Sequence, residues 1–151
     1  MTAPLVIGIG NPTRSDDGAG LRVVGELARL APWASFLAVH QLTPELAEDI
    51  AAAGLVVFVD AAVGATELTV TPVEPTPISP GSHVGSPGAL LELTARVYGK
   101  IPASALQVAI PACELGFGEI LSPATAGWVG QAVTRLADYL GGERGMAGPP
   151  Q

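Results

Sequence analysis

The sequence predicts an α/β fold in three layers, a mostly parallel, twisted sheet of about five strands with helices on both faces. Three observations predict it. Strand-like and helix-like patterns alternate along the chain. Two of the strand patterns, residues 5–9 and 55–60, are nearly unbroken apolar runs, as strands covered on both faces require. The 151 residues, 48% apolar and 14% charged, make one core of ordinary domain size and exclude a disordered chain. Residues 1–140 read as the single domain, and 141–151, rich in Gly and Pro, as a flexible tail.

The elements follow in order. The run 5–9 is closed by Gly10-Asn11-Pro12, which ends the first strand. Beyond the polar stretch 13–17, residues 18–31 place Leu21, Val24, Leu27, Ala28 and Ala31 at helical spacing, with an Asp positioned to cap the first turn. Residues 35–41 form a second strand. Thr43-Pro44-Glu45 opens a second helix with an N-cap, Pro at the first helical position and acid in the first turn, and Gly54 ends it. Residues 55–60 are the third strand, and 67–73 alternate as a strand with one solvated face does. The proline-rich segment 72–87 resists regular structure until Ser86-Pro87 caps a third helix over 88–98. A short strand at 105–110, an irregular loop at 111–121 and a helix from Ser122-Pro123 to about Leu140 complete the pattern.

Composition excludes several functions. A net charge of −7, with seven Lys plus Arg, argues against nucleic acid or an anionic lipid surface as partner. The longest apolar run, 55–59, is far short of the roughly 20 residues that cross a bilayer, so no membrane insertion is expected. The first residues carry no basic group and do not read as a secretory signal, which leaves a cytoplasmic location as the expectation. The single cysteine, Cys113, forms no internal disulfide and no sulfur cage. Any metal must therefore be held by carboxylate oxygen and imidazole, with His40 and His83 as the two histidines present.

Parallel sheets bind ligands beyond the carboxyl ends of their strands, which here are residues 11–17, His40 and Gln41, Asp60, and the loop after Ile110. Gly8-Ile9-Gly10 lacks the third glycine of a dinucleotide fingerprint, since Thr13 stands there, and no Gly-Lys-Ser/Thr of a P-loop follows. Gly8 and Gly10 serve a tight turn and close helix packing. Of Asp16 and Asp17, one suffices to cap the helix and the other is left over at the strand terminus. Asp60 ends five apolar residues, so it either meets solvent in a cleft, pairs with another group, or forms an Asx-type turn with Ala61 and Ala62. His83 precedes a helix N-terminus that disfavours imidazolium; the neutral ring suits a metal ligand or general base, or is a solvated loop side chain. His40 reads as a core residue or a helper at the rim. Two carboxylates and an imidazole can form a three-ligand site with open positions for a first-row divalent ion. Cys113, with His83 or His40 as base, is an alternative nucleophile, weakened by its neighbour Glu114, whose negative charge disfavours a thiolate wherever the two side chains are close. Neither Ser15 nor Ser82 sits in a nucleophile elbow.

The strings VIGIGNPTRSDDGAG, LVVFVDAAVG and GSHVGSPGALLELTARVYG, in this order, resemble the hydrogenase maturation proteases, over nearly the whole chain up to about Leu140. The resemblance implies the same sheet-and-helix architecture. It implies an endopeptidase that removes the C-terminal extension of a nickel-iron hydrogenase large-subunit precursor after nickel insertion. It places a catalytic, metal-contacting trio on Asp17, Asp60 and His83, with Gly10, Asn11 and Asp16 lining the substrate cleft, and it leaves an exchange of roles between Asp16 and Asp17 open. The metal it implies is nickel carried by the substrate, or another divalent ion. Some relatives carry Glu where Asp17 stands, and Arg14 adds a positive charge beside the acids. A non-catalytic, nickel-dependent binding or chaperone module would use the same trio. Partner recognition is expected at an apolar rim around Phe117 and the loop 114–121.

Overall fold

The residues of 5–9 and 55–59 are buried without exception, because helices cover the sheet on both sides. The computed structural model describes residues 3–79 and 84–147. Strand β1 (Leu5–Ile9) leads through a 3-10 turn (Ser15–Gly18) into α1 (Ala19–Leu30); β2 (Ser35–Val39), α2 (Leu46–Ala52), β3 (Leu55–Val63) and β4 (Thr69–Pro72) follow, then α3 (Pro87–Tyr98), β5 (Ser104–Ala112) and α4 (Pro123–Ala147). The strand order is β2-β1-β3-β5-β4. All neighbours are parallel except β4, which runs antiparallel to β5 at the edge.

The two-residue period of the strands sorts the core into two layers. Val6, Val57 and Val59 face α1 and α4 through Val23, Val24, Leu27, Val129, Val133 and Leu136. Ile7, Val56 and Phe58 face α2 and α3 through Leu46, Ile50, Leu90 and Leu91. The predicted α/β, three-layer, mostly parallel architecture of five strands is the one observed.

Several boundaries differ from expectation, each for a local reason. β3 and β5 run on to Val63 and Ala112 because they pair with each other beyond the last residue of β1, from Asp60↔Ala109 to Val63↔Ala112. The turn considered at Ala61 and Ala62 is therefore strand. Thr43-Pro44-Glu45 does not form the first turn of α2: Leu46 N–H donates to the Thr43 carbonyl and Ala47 N–H to that of Pro44, a tight i→i+3 turn that delivers the chain to a helix starting at Leu46. At α3 the expected cap is present, with Ser86 Oγ accepting from Ala89 N–H at 3.2 Å. α4 continues through Gly141-Gly142 to Ala147, past the stop expected near Leu140.

Two glycines set α1 low over the sheet. A Cβ on Gly8 would lie 2.5 Å from the Gly20 carbonyl oxygen, and one on Gly20 would collide with the Val59 carbonyl and come within 2.8 Å of the Ile9 carbonyl. The helix start is thereby pressed onto the upper ends of β1 and β3.

Candidate active site

The carboxyl end of β1 and the start of α1 form one compact turn. Gly10 N–H donates to the Val39 carbonyl at 3.0 Å. At φ 154 its missing side chain leaves room for the Asp17 carbonyl oxygen, with which any Cβ would collide. Asn11 folds its side chain back, accepting from Thr13 N–H at 2.9 Å and Thr13 hydroxyl at 2.7 Å in an Asx turn. Asn11 N–H in turn donates to Asp17 Oδ2 at 2.8 Å, which fixes the half-buried Asp17 carboxylate over the strand end.

Asp60 is the first residue of β3 beyond its pairing with β1, which ends at Gly8↔Val59. Its side chain is half-buried and accepts Ala61 N–H at Oδ1, 2.8 Å away. Burial raises its pKa to about 6; the Ala61 N–H works against the shift, and the nearby negative charge of Asp17 adds to it. Asp17 thus lies near enough to Asp60 for its charge to act on it, and each carboxylate has one oxygen engaged by backbone N–H. Oxygen donors of this type suit a divalent cation, although no group of three or more His, Cys, Asp and Glu side chains gathers among the described residues. His83, the third member of the expected trio, lies outside the described residues.

Asp16 corrects the expectation for the acidic pair. It is 0% exposed, so its side chain neither lines a cleft nor meets a ligand. Oδ2 accepts Cys113 N–H, Glu114 N–H, the Ser122 hydroxyl and the Thr125 hydroxyl, and Oδ1 accepts Ser122 N–H, at 2.7–2.9 Å. Burial alone would raise its pKa, but the N–H groups of Glu114, Ser122 and Cys113 and the Ser122 hydroxyl outweigh it and lower the pKa to about 2. Of the adjacent pair, Asp17 is the one that keeps solvent access, half-buried where Asp16 is fully enclosed.

Ser122 and Thr125 were not singled out in the sequence beyond the helix start that Ser122-Pro123 marks. Ser122 does cap α4, accepting Thr125 N–H at 3.4 Å, while its own proton goes to Asp16. Around this carboxylate the loop 113–118 is zipped to the turn 13–16: Ser15 N–H and Asp16 N–H donate to the Gly118 and Glu114 carbonyls, Gly118 N–H donates to the Thr13 carbonyl, and Ser15 Oγ–H donates to Gly116 at 2.7 Å. Ser15 holds φ 51, an uncommon conformation for a residue with a side chain, which these bonds impose. Arg14 donates through Nε to the Leu115 carbonyl at 3.3 Å. A hollow of about 280 Å³ lies behind this turn, lined by Pro12, Ser15, Leu21, Arg22, Glu26 and Leu121, and not over the carboxylates.

The cysteine alternative loses one of its two bases. Cys113 follows β5 and His40 follows β2, with β1 and β3 between them, a separation of about 14 Å at the usual strand spacing. His40 is exposed at the sheet edge and out of reach.

Solved structures share this architecture across nearly the whole chain. The hydrogenase maturating endopeptidase HybD from E. coli superposes with a TM-score of 0.73 at 19% identity, covering 93% of both chains. The fold is that of the hydrogenase maturation endopeptidases. The NiFe hydrogenase maturation protease HybD from Thermococcus kodakarensis gives a TM-score of 0.70 at 22% identity over 91% of this chain and 99% of that one, and HycI from the same organism 0.69 at 22% over 92% of each. No family model matches the chain, and no curated protein matches it by sequence. No helix among the described residues is long and apolar enough to cross a membrane.

Proposed function

We propose that the chain is an endopeptidase that trims the C-terminal extension of a nickel-iron hydrogenase large-subunit precursor. The observation that carries this reading is the pairing of Asp17 with Asp60, whose carboxyl titrates near pH 6 because it is half-buried and faces a second negative charge. A carboxylate of raised pKa is a better proton acceptor at neutral pH than an ordinary aspartate. Asp60 takes the proton of a water molecule as its oxygen attacks the scissile carbonyl, and that proton passes to the departing amide nitrogen. Asp17, held by Asn11 N–H, orients the water or a cation beside it.

The resemblance of the 81–99 segment to the maturation proteases supports His83 as the third group. Asp17, Asp60 and His83 then offer two oxygens and an imidazole nitrogen, a set that suits nickel presented by the substrate. A precursor without nickel lacks that contact and binds less well, so cleavage is coupled to loading through differential affinity. The likeness of fold to proteins described as maturation proteases supports the substrate class.

Mass analysis of nickel-loaded precursor incubated with the protein tests the reading. A shortened subunit is expected with the wild type and an unshortened one with Asp60→Asn. If the wild type binds the precursor and leaves it full length, the chain is instead a nickel-dependent binding module, and the endopeptidase reading fails.

A further inference from the structure

We propose that Phe117 and Ile120 form a docking knob that grips an apolar, basic-flanked face of the protein substrate, away from the bond that is cut. This rests on the endopeptidase reading and adds the surface that recognises the substrate. Phe117 is 95% exposed and Ile120 83%, in a loop whose backbone is bonded to the turn that carries Asp17. Such exposure of two large apolar side chains three residues apart is unfavourable for the isolated molecule and marks a contact surface. The other exposed large apolar residues of helices, Leu30, Val97 and Tyr98, end α1 and α3, which run back against the parallel strands, so they lie at the opposite edge. Val63, exposed at the end of β3 and paired with Ala112 where the loop begins, lies on the same edge as the knob.

The knob is also preorganised. Gly118 N–H bonds to Thr13, the Gly118 carbonyl accepts Ser15 N–H, Ser15 Oγ–H donates to Gly116 and Asp16 takes Cys113 and Glu114 N–H, so the loop backbone is fixed before a partner arrives. Little ordering entropy is then lost on binding. The same bonds place the knob at a set position relative to Asp17, as a protein substrate with its tail in the site requires.

Charge selects the occupant. Glu114 and Glu119, both exposed, flank Phe117 and outnumber the exposed Arg14 bonded to the same loop at the Leu115 carbonyl, and the chain carries −7 overall. A second copy docked by the same patch would bring these acids face to face, which disfavours a self-complementary dimer. A partner with Lys or Arg around an apolar pocket complements them.

Steady-state trimming of the nickel-loaded precursor by Phe117→Ser/Ile120→Ser tests the proposal, with Val97→Ser as control. The double variant is expected to keep its melting temperature and its kcat within about twofold, while KM rises about tenfold or more, as loss of apolar anchors does. Glu119→Lys should raise KM as well, by a factor that shrinks at high salt. Val97→Ser should leave KM unchanged. An unchanged KM in the double variant, or a wild-type dimer that the double variant converts to monomer, overturns the docking surface. If the wild type itself leaves the precursor full length, the functional reading fails and this proposal falls with it.

Discussion

Asp16 and Asp17 are adjacent and chemically identical, yet the fold gives them opposite roles. Asp16 is enclosed by five donors and held ionised, whereas Asp17 has one backbone partner and stands beside Asp60. The pH dependence of stability follows from the two shifted groups. Asp16 titrates near 2, below its ordinary value, so its stabilising contribution is complete above about pH 4 and is lost as pH falls toward 2. Asp16→Ala strands buried N–H and hydroxyl groups and should lower stability at pH 7 by about 3 kcal/mol or more, measured by denaturant unfolding. For Asp60 the sign reverses. Its folded pKa of about 6 lies above the unfolded value, so the fold binds the proton more tightly; that contribution is complete below about pH 4 and lost as pH rises through 6. Metal-free Asp60→Asn should therefore be more stable than wild type at pH 8 by about 1–3 kcal/mol, the difference shrinking toward pH 4 in thermal melts, while trimming is abolished. Asp60 was legible as a lone carboxylate ending an apolar run. The division of labour between Asp16 and Asp17 was not, because it depends on Ser122 and Thr125, more than a hundred residues away in the chain.

At the scale of elements, the order of strands and helices was readable because each buried element carries its own periodicity. The errors fall where a neighbour overrides the local signal. Ala61 and Ala62 have no strong strand preference, but β5 offers them a ladder, so β3 extends. The Thr43-Pro44-Glu45 signal is a genuine turn starter that the chain uses as a tight turn before the helix. Gly141-Gly142 weakens a helix without ending it, since Leu136 and Leu140 anchor the preceding turn in the core. The contact of α1 with the sheet was indicated by Gly8, although Gly20 was not singled out. Gly20→Ala should push the helix off the ends of β1 and β3 and lower stability by about 1–3 kcal/mol, with a matching loss of trimming as Asp17 moves from Asp60. Ser86→Ala removes the α3 cap and should cost about 1 kcal/mol in the same unfolding measurement.

At the scale of the whole molecule, the proposed reaction invites a test on its third group, His83, which lies outside the described residues. His83→Ala is expected to leave the melting curve unchanged and to abolish trimming of nickel-loaded precursor, read by mass analysis; full processing by this variant would remove His83 from the reaction. One more consequence follows from the clamp on Asp16. Its last ligand, Thr125, arrives 109 residues after the carboxylate it closes on, a contact of very long range. During synthesis the first half of the sheet can form while that aspartate still awaits its partners, and the turn that presents Asp17 stays unbraced until the start of the final helix has left the ribosome. The brace on that turn is therefore among the later contacts to close as the chain folds, and the placement of Asp17 waits on it.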